Sequence, residues 1–215
     1  MSLLKTVILS LCAAATTSAL KITSFTHSGP ACPQDSDVTW NGNSDAPVFY
    51  LEDYSAKVSP GEISNCALHL TIGSGKPNQA LVLGEVSVWG GLGLAANGAA
   101  TFFTSAFWAE TAGDGYHVIP LDLPKTTANL KSRPPPNQVT KRLESSTSRA
   151  FTGNVAVDAD LDLASPCTSR DGYVGILTVN FRVLAEEGTV TFGPEKTGSK
   201  TKPVSEHLQF SWTSC

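Results

Sequence analysis

The sequence lacks several features that would assign it to a common class of protein. Its one methionine is Met1, which excludes a methionine-rich adaptable binding surface. No Asn-x-Ser or Asn-x-Thr sequon occurs, so N-glycosylation is not expected. The absence of any Cys-x-x-Cys pair argues against a zinc site, and the absence of Gly-x-Ser-x-Gly argues against an α/β-hydrolase nucleophile.

A basic surface is also missing. The chain has 15 Lys and Arg against 19 Asp and Glu, for a formal net charge of −4. Nucleic acids and anionic membrane surfaces attract basic faces, so neither is an expected partner. After Ala19 no hydrophobic run is long enough to cross a bilayer.

The first nineteen residues have the pattern of a secretory signal peptide. Lys5 is followed by an apolar run over residues 7–15, which is too short to span a membrane. Residues 17–19, Thr-Ser-Ala, then give the small-x-small pattern of a signal-peptidase site. We therefore predict a secreted, extracellular protein whose mature part, residues 20–215, is a single domain.

The cysteines predict disulfide bonds. Cleavage after residue 19 removes Cys12 and leaves an even set of four: Cys32, Cys66, Cys167 and Cys215. In an exported chain such a set is expected to be oxidised. Of the three possible pairings, the nearest in the chain joins Cys32 to Cys66 and Cys167 to Cys215. Each bond then closes a loop of a few tens of residues and contributes roughly 3–4 kcal/mol.

Alternation of apolar and polar residues predicts strands almost throughout. In residues 173–184 Leu177, Val179 and Phe181 fall on one face, whereas Thr178 and Asn180 fall on the other. Residues 66–72 and 207–213 repeat this pattern, and Gly, Pro, Asn and Asp clusters separate such runs. No window of a dozen residues has a helical stripe. The sequence therefore predicts an all-β protein, a single antiparallel β-sandwich of jelly-roll or immunoglobulin-like type.

One segment, residues 125–149, is polar and rich in proline and serine. It contains three consecutive prolines at 134–136 and the dibasic pair Lys141-Arg142. We interpret this segment as an exposed loop between strands. The dibasic pair is either a processing site or two solvated bases.

Tryptophan is the residue type that would stack on a sugar ring. Trp212 alternates with Leu208 and Phe210, which indicates a core position. Trp40 lies beside Asn41-Gly42-Asn43 in a predicted loop. Trp40 is therefore the candidate ligand-binding residue.

Three aspartates at alternate positions suggest a second kind of site. Asp158, Asp160 and Asp162 could supply hard oxygen ligands to calcium, although the stretch does not follow the EF-hand pattern because Leu163 and Ser169 occupy its sixth and twelfth positions. The alternative is an acidic strand edge that discourages aggregation.

Paired carboxylates would indicate a glycoside hydrolase. Glu52, Asp53, Glu85 and Glu110 are candidates, but the sequence brings no two of them together, and solvated surface acids are the alternative. No catalytic residue and no cofactor is assigned. The histidines have no metal-ligand spacing; His69 and His207 both fall on polar strand faces and could meet across a sheet.

The chain resembles a family of small secreted fungal proteins known as a domain of unknown function. The resemblance covers the whole mature chain as four cysteine blocks in order, which lie within residues 22–33, 59–70, 165–182 and 207–215. It implies an extracellular, β-rich fold and a signal peptide. It implies no reaction.

These observations favour a non-catalytic binding or structural module at a cell wall or host surface. Its expected partner is a cell-wall polysaccharide or a host surface component. The alternatives are a secreted hydrolase with paired carboxylates and a calcium-dependent adhesin-like module. The oligomeric state is not predicted.

Overall fold

A computed structural model describes residues 20–111, 137–145 and 149–215. The predicted signal peptide therefore lies outside the described residues. The described residues form fourteen strands and one short 3-10 turn, Ala109–Thr111. The strands are β1 (Lys21–Ser28), β2 (Val38–Trp40), β3 (Val48–Leu51), β4 (Ala56–Val58), β5 (Ile63–Gly73), β6 (Gln79–Leu94), β7 (Ala99–Trp108), β8 (Gln138–Glu144), β9 (Phe151–Ala164), β10 (Gly175–Glu187), β11 (Val190–Gly193), β12 (Glu195–Thr197), β13 (Lys200–Lys202) and β14 (Val204–Ser214). No helix in the described ranges has the length and apolarity needed to cross a membrane.

Two antiparallel sheets make up the body of the fold. One has five strands in the order β1-β5-β10-β7-β8. The other has seven strands, in the order β2-β3-β14-β6-β11-β4 with β9 on the second edge of β6. The long strand β6 thus pairs with β14 along residues 79–89, with β11 along residues 91–94 and with β9 along most of its length. Strands β12 and β13 form a separate hairpin.

Period-two alternation places one side of each sheet in the core, as the sequence predicts. In β10 Leu177, Val179 and Phe181 are buried, whereas the intervening Asn180 is half-buried on the outer face. Aromatic rings from both sheets meet between the layers: Phe102 and Phe181 of the five-stranded sheet lie 5.5 and 5.4 Å from Phe192 of the other. The predicted all-β sandwich is confirmed.

Both disulfide bonds follow the nearest-in-chain pairing. Cys32 is bonded to Cys66 with 5.4 Å between the Cα atoms, and Cys167 is bonded to Cys215 with 6.0 Å between them. The first bond is buried between the layers, whereas both cysteines of the second are exposed. The second bond attaches the last residue of the chain to the segment that follows β9.

The loop predicted for residues 125–149 is wrong for residues 138–144. These residues form β8, an edge strand paired with β7. Val139 and Leu143 pack against the core at alternate positions, but the charged residues between them hide this pattern in the sequence. Charged side chains are common on edge strands because they discourage pairing with another chain. Residues 112–136 and 146–148 lie outside the described part of the protein.

Candidate functional site on the outer face of the seven-stranded sheet

The outer face of β6 carries an exposed tryptophan. Val86 and Val88 point into the core, so Ser87 and Trp89 point outward. Trp89 is 48 % exposed, which makes it the most exposed aromatic side chain of the described residues. A single exposed apolar ring is common on protein surfaces, so the significance of Trp89 depends on the groups arranged around it.

His207 supports the tryptophan from the neighbouring strand. The two ring centroids are 5.2 Å apart and the ring planes differ by 28°, so the rings are stacked. Ser205 Oγ lies 3.1 Å from His207 Nε2 and fixes the imidazole from the same strand. Partial burial lowers the pKa of His207, so the imidazole is neutral at neutral pH. Trp89 and His207 together form an uncharged aromatic surface, which we call the platform.

Polar groups continue the platform along β6 and β9. Ser87 Oγ lies 2.9 Å from Glu85 Oε1 and 2.8 Å from Asp158 Oδ1, so two carboxylates share one hydroxyl proton. Lys141 Nζ, from β8, lies 3.9 Å from Asp158 Oδ2 and donates to the backbone oxygen of Ala156 at 2.7 Å. These contacts hold two carboxylates in fixed positions beside the rings, with unused acceptor lone pairs.

A groove borders the platform on the other side of His207. It has a volume of about 360 Å³ and lies between the loop before β3 and strand β14. Asp45, Pro47 and Gln209 line it together with His207 itself. The groove provides a polar rim at one edge of the aromatic surface.

The β12–β13 hairpin bounds the platform at its other end. A Cβ atom on Gly91 would lie 2.8 Å from the backbone oxygen of Pro194, so the absence of a side chain lets the chain cross the sheet at this point. Gly91 is two residues from Trp89 on the same face of β6. The start of the hairpin therefore covers the outer face of β6 at Gly91, next to the exposed Trp89 indole.

Directly beneath the platform the core contains a carboxyl group. Glu206 is paired with Val88, and both side chains point inward between the outward pairs Ser205–Trp89 and His207–Ser87. Glu206 is 1 % exposed, and neither of its carboxyl oxygens has a hydrogen-bond partner among the described residues. Burial raises the pKa of Glu206 from an ordinary 4.5 to about 8.

Tyr54 is the titratable neighbour of Glu206 in the core. Burial, and to a smaller extent the charge of Glu206, raises the pKa of Tyr54 far above its usual value. The Tyr54 hydroxyl also has no hydrogen-bond partner within the described ranges. Both groups are therefore expected to be neutral at pH 7.

Trp40, the candidate ligand-binding residue selected from the sequence, is the last residue of strand β2 and does not lie in the predicted loop. Trp40 is half-buried, packs against the core and stacks on Phe49 with 6.1 Å between ring centroids. Sequence reasoning missed Trp89, although a signal was present: Trp89 follows Ser87 in the phase opposite to Val86 and Val88. Trp40 instead shares its phase with Val38, which also packs on the core.

The three aspartates of the calcium hypothesis all project from β9 as exposed side chains. Asp162 has a φ of 49° at an irregularity in the pairing of β9 with β6, and Asp158 is engaged by Ser87. Within residues 20–111, 137–145 and 149–215, no group of three or more His, Cys, Asp or Glu side chains is close enough to hold a metal ion. Among the described strands β9 pairs with β6 alone, so the three aspartates lie on an edge strand.

The carboxylates considered for hydrolysis lie in different parts of the fold. Glu52 and Asp53 follow β3, and Asp53 accepts a hydrogen bond from the backbone N–H of Asp37 at 3.3 Å. Glu85 lies on the outer face of the seven-stranded sheet. Glu110 follows β7 of the other sheet, where it accepts hydrogen bonds from Tyr173 Oη at 2.7 Å and from a backbone N–H.

His69 and His207 lie on opposite outer faces and do not meet. His69 lies in the five-stranded sheet, where its Nε2 is 3.2 Å from Ser28 Oγ and its Nδ1 is 3.0 Å from Thr178 Oγ1. In a Ser-His-Asp triad a carboxylate orients the histidine and stabilises the imidazolium that forms, whereas the hydroxyl of Thr178 occupies that position here. The contacts of His69 are those of a polar sheet surface.

Comparison with known proteins assigns a family. Residues 18–215 match the domain of unknown function DUF4360. The chain belongs to this family. No curated protein matched the chain.

Two solved structures show a distant likeness. TmCBM61, described in complex with β-1,4-galactotriose, aligns over 90 % of both chains with 8 % identity and a TM-score of 0.27. The glycoside hydrolase domain of Endo-D from Streptococcus pneumoniae R6 aligns over 88 % of this chain and 21 % of its own, with 10 % identity and a TM-score of 0.25. TM-scores this low support no argument about the ligand of this DUF4360 protein.

Proposed function

We propose that this DUF4360 protein is a secreted, non-catalytic binding module that holds a polysaccharide on the outer face of its seven-stranded sheet. The observation that carries the proposal is the exposed Trp89 ring, stacked on a neutral His207 and flanked by carboxylates held in place by Ser87. The two disulfide bonds support export, because such bonds persist in oxidising compartments.

The chemistry of the platform suits a sugar ring. One face of a pyranose presents C–H groups that pack on an aromatic ring, and the hydroxyls at its rim donate to fixed acceptors. Trp89 supplies the ring, whereas Glu85 and Asp158 supply the acceptors. An open sheet face bounded by a hairpin and a groove leaves room for a chain of sugars to enter and leave, as binding to an insoluble wall requires.

The test is retention on insoluble chitin, glucan and cellulose. We expect wild type to bind at least one of these polymers and Trp89→Ala to bind it at least about tenfold more weakly, because a central aromatic contact commonly contributes more than 1.4 kcal/mol. Phe107→Ala is the matched control, since Phe107 is 38 % exposed on the outer face of the opposite sheet. Equal retention of the wild type and both variants, or no retention of any, would reject the proposal.

Trp40→Ala provides a second comparison. Trp40 stacks on the buried Phe49, so its loss should lower stability more than binding. If instead Trp40→Ala loses retention while remaining as stable as wild type, the ligand lies at the β2 edge and not on the platform.

A further inference from the structure

Among the buried side chains of the described residues, Glu206 is the one that belongs to Asp, Glu, Lys, Arg or His. A carboxyl group moved from water into an apolar core loses its hydration, and both oxygens of Glu206 lack a compensating donor. Such a group is tolerated in its neutral form, and its ionised form favours any motion that returns it to water.

The surroundings of Glu206 offer no charge that could stabilise a carboxylate. Its cross-strand partners are Phe49 on β3 and Val88 on β6, and both are apolar. Tyr54, in the turn after β3, is the titratable group whose pKa responds to the charge of Glu206. The buried inward positions of the facing sheet are apolar apart from the hydroxyls of Ser64 and Thr104 and the indole N–H of Trp108, none of which is ionised. The charged groups of β6 and β9 lie on outer faces. On β8 Lys141 shares the core-facing phase of Val139 and Leu143, but its ammonium donates to the backbone oxygen of Ala156 in β9.

The position of Glu206 in β14 connects the core to the platform. Ser205 and His207 are its chain neighbours and lie on the outer face opposite Trp89 and Ser87. Any separation of β14 from β6 that lets Glu206 reach water also separates His207 from Trp89.

We infer that Glu206 is a proton-dependent latch, which keeps β14 closed against β3 and β6 while its carboxyl is neutral and releases the strand when the carboxyl ionises. The latch acts from below on the strand pair that carries the platform. The inference rests on the burial of Glu206 and not on the identity of the ligand above it.

The direction and size of the effect follow from linkage. The pKa of Glu206 is about 8 in the closed state and returns to about 4.5 once the group is exposed. The closed state is therefore fully favoured below pH 4.5, and this advantage is lost as the pH rises toward 8. Between pH 6.5 and pH 8 the opening equilibrium should increase about fifteenfold. The neutral form of His207 predominates throughout this window, because partial burial lowers its pKa below the ordinary 6.5.

Hydrogen exchange of the whole mature protein measures the opening. We expect the protection factors of β14 and β3 amides, after correction for the intrinsic rate of exchange, to fall about fifteenfold from pH 6.5 to pH 8. Glu206→Gln and Glu206→Met should both abolish this pH-dependent loss of protection. Two variants are used so that the test does not depend on the folding of either one. Glu52→Gln, which removes an exposed carboxylate after β3, should retain it.

The facing strand β5 is the internal reference, because it belongs to the other sheet. A pH-independent protection of β14 in wild type would overturn the latch. So would an equal loss of protection in β14 and β5, which would mean that Glu206 acts on global unfolding alone. The latch inference would also be overturned if both Glu206 variants kept the full pH dependence of β14 protection.

Discussion

Tyr54→Phe should make the protein more stable. The Tyr54 ring is 1 % exposed and packs between Phe181 and Phe192, whereas its hydroxyl has no hydrogen-bond partner in the described part of the chain. A buried hydroxyl without a partner costs about 1–3 kcal/mol of desolvation that folding never recovers. Phenylalanine keeps the ring contacts and removes only the oxygen, so the void that it leaves is small.

Urea denaturation at about pH 5 is the appropriate measurement, because Glu206 is then neutral in the folded state. We expect the free energy of unfolding to rise by about 1–2 kcal/mol with an unchanged m-value, and the melting temperature to rise by about 2–4 °C for each kcal/mol. Tyr50→Phe is the control: Tyr50 is half-buried on the outer face of β3, and its change should stay within about 0.5 kcal/mol. A loss of 1 kcal/mol or more in Tyr54→Phe would refute the reasoning, since it would reveal a partner such as a bound water between Tyr54 and Glu206.

Three further results are expected. Dithiothreitol should reduce the exposed Cys167–Cys215 bond before the buried Cys32–Cys66 bond, as measured by alkylation and mass spectrometry; equal rates of reduction would contradict the difference in burial. Replacing either cysteine pair by serine should lower the free energy of unfolding by about 4 kcal/mol. Gly29→Ala should lower the melting temperature more than Gly42→Ala. Both glycines have a positive φ, but only at Gly29 would the new Cβ collide with a neighbour, the backbone oxygen of Asn65. A dibasic-specific protease should cleave after Arg142 only in denaturant, because Arg142 lies in β8 and its guanidinium is paired with carboxylates. Cleavage of the folded protein would contradict this and show that β8 opens.

The fold was largely predictable from the sequence because strand alternation is a local property. The inward phase of Leu177, Val179 and Phe181 can be identified without knowing which strands are neighbours, and the structure has the same phase. The disulfide pairing was also accessible, since a short loop closes with the smallest entropy cost. Strand β8 was missed because Lys141 and Arg142 mask a weak apolar alternation on an edge strand.

The candidate site was not predictable in the same way because it depends on register across strands. Trp89 and His207 are more than a hundred residues apart in sequence, and they stack only because Ser205 is opposite Trp89 in the β14–β6 pairing. A shift of one residue in that register would move His207 into the core and Glu206 to the surface. The sequence contains the residues of the platform but not the pairing that assembles it.

The same register implies that β14 cannot be optimised for one face alone. A shift of one residue that moved Glu206 outward would relieve the buried carboxyl but would also remove His207 from the platform. Replacing Glu206 by an apolar residue would relieve it without any shift, since a buried carboxyl without hydrogen-bond partners carries a desolvation cost that an apolar side chain avoids. If Glu206→Met is more stable than wild type at pH 8 and retains binding to the polysaccharide, then neither stability nor ligand contact requires the carboxyl. The remaining role for Glu206 is then the pH-dependent opening of β14, which the exchange experiment measures separately from binding.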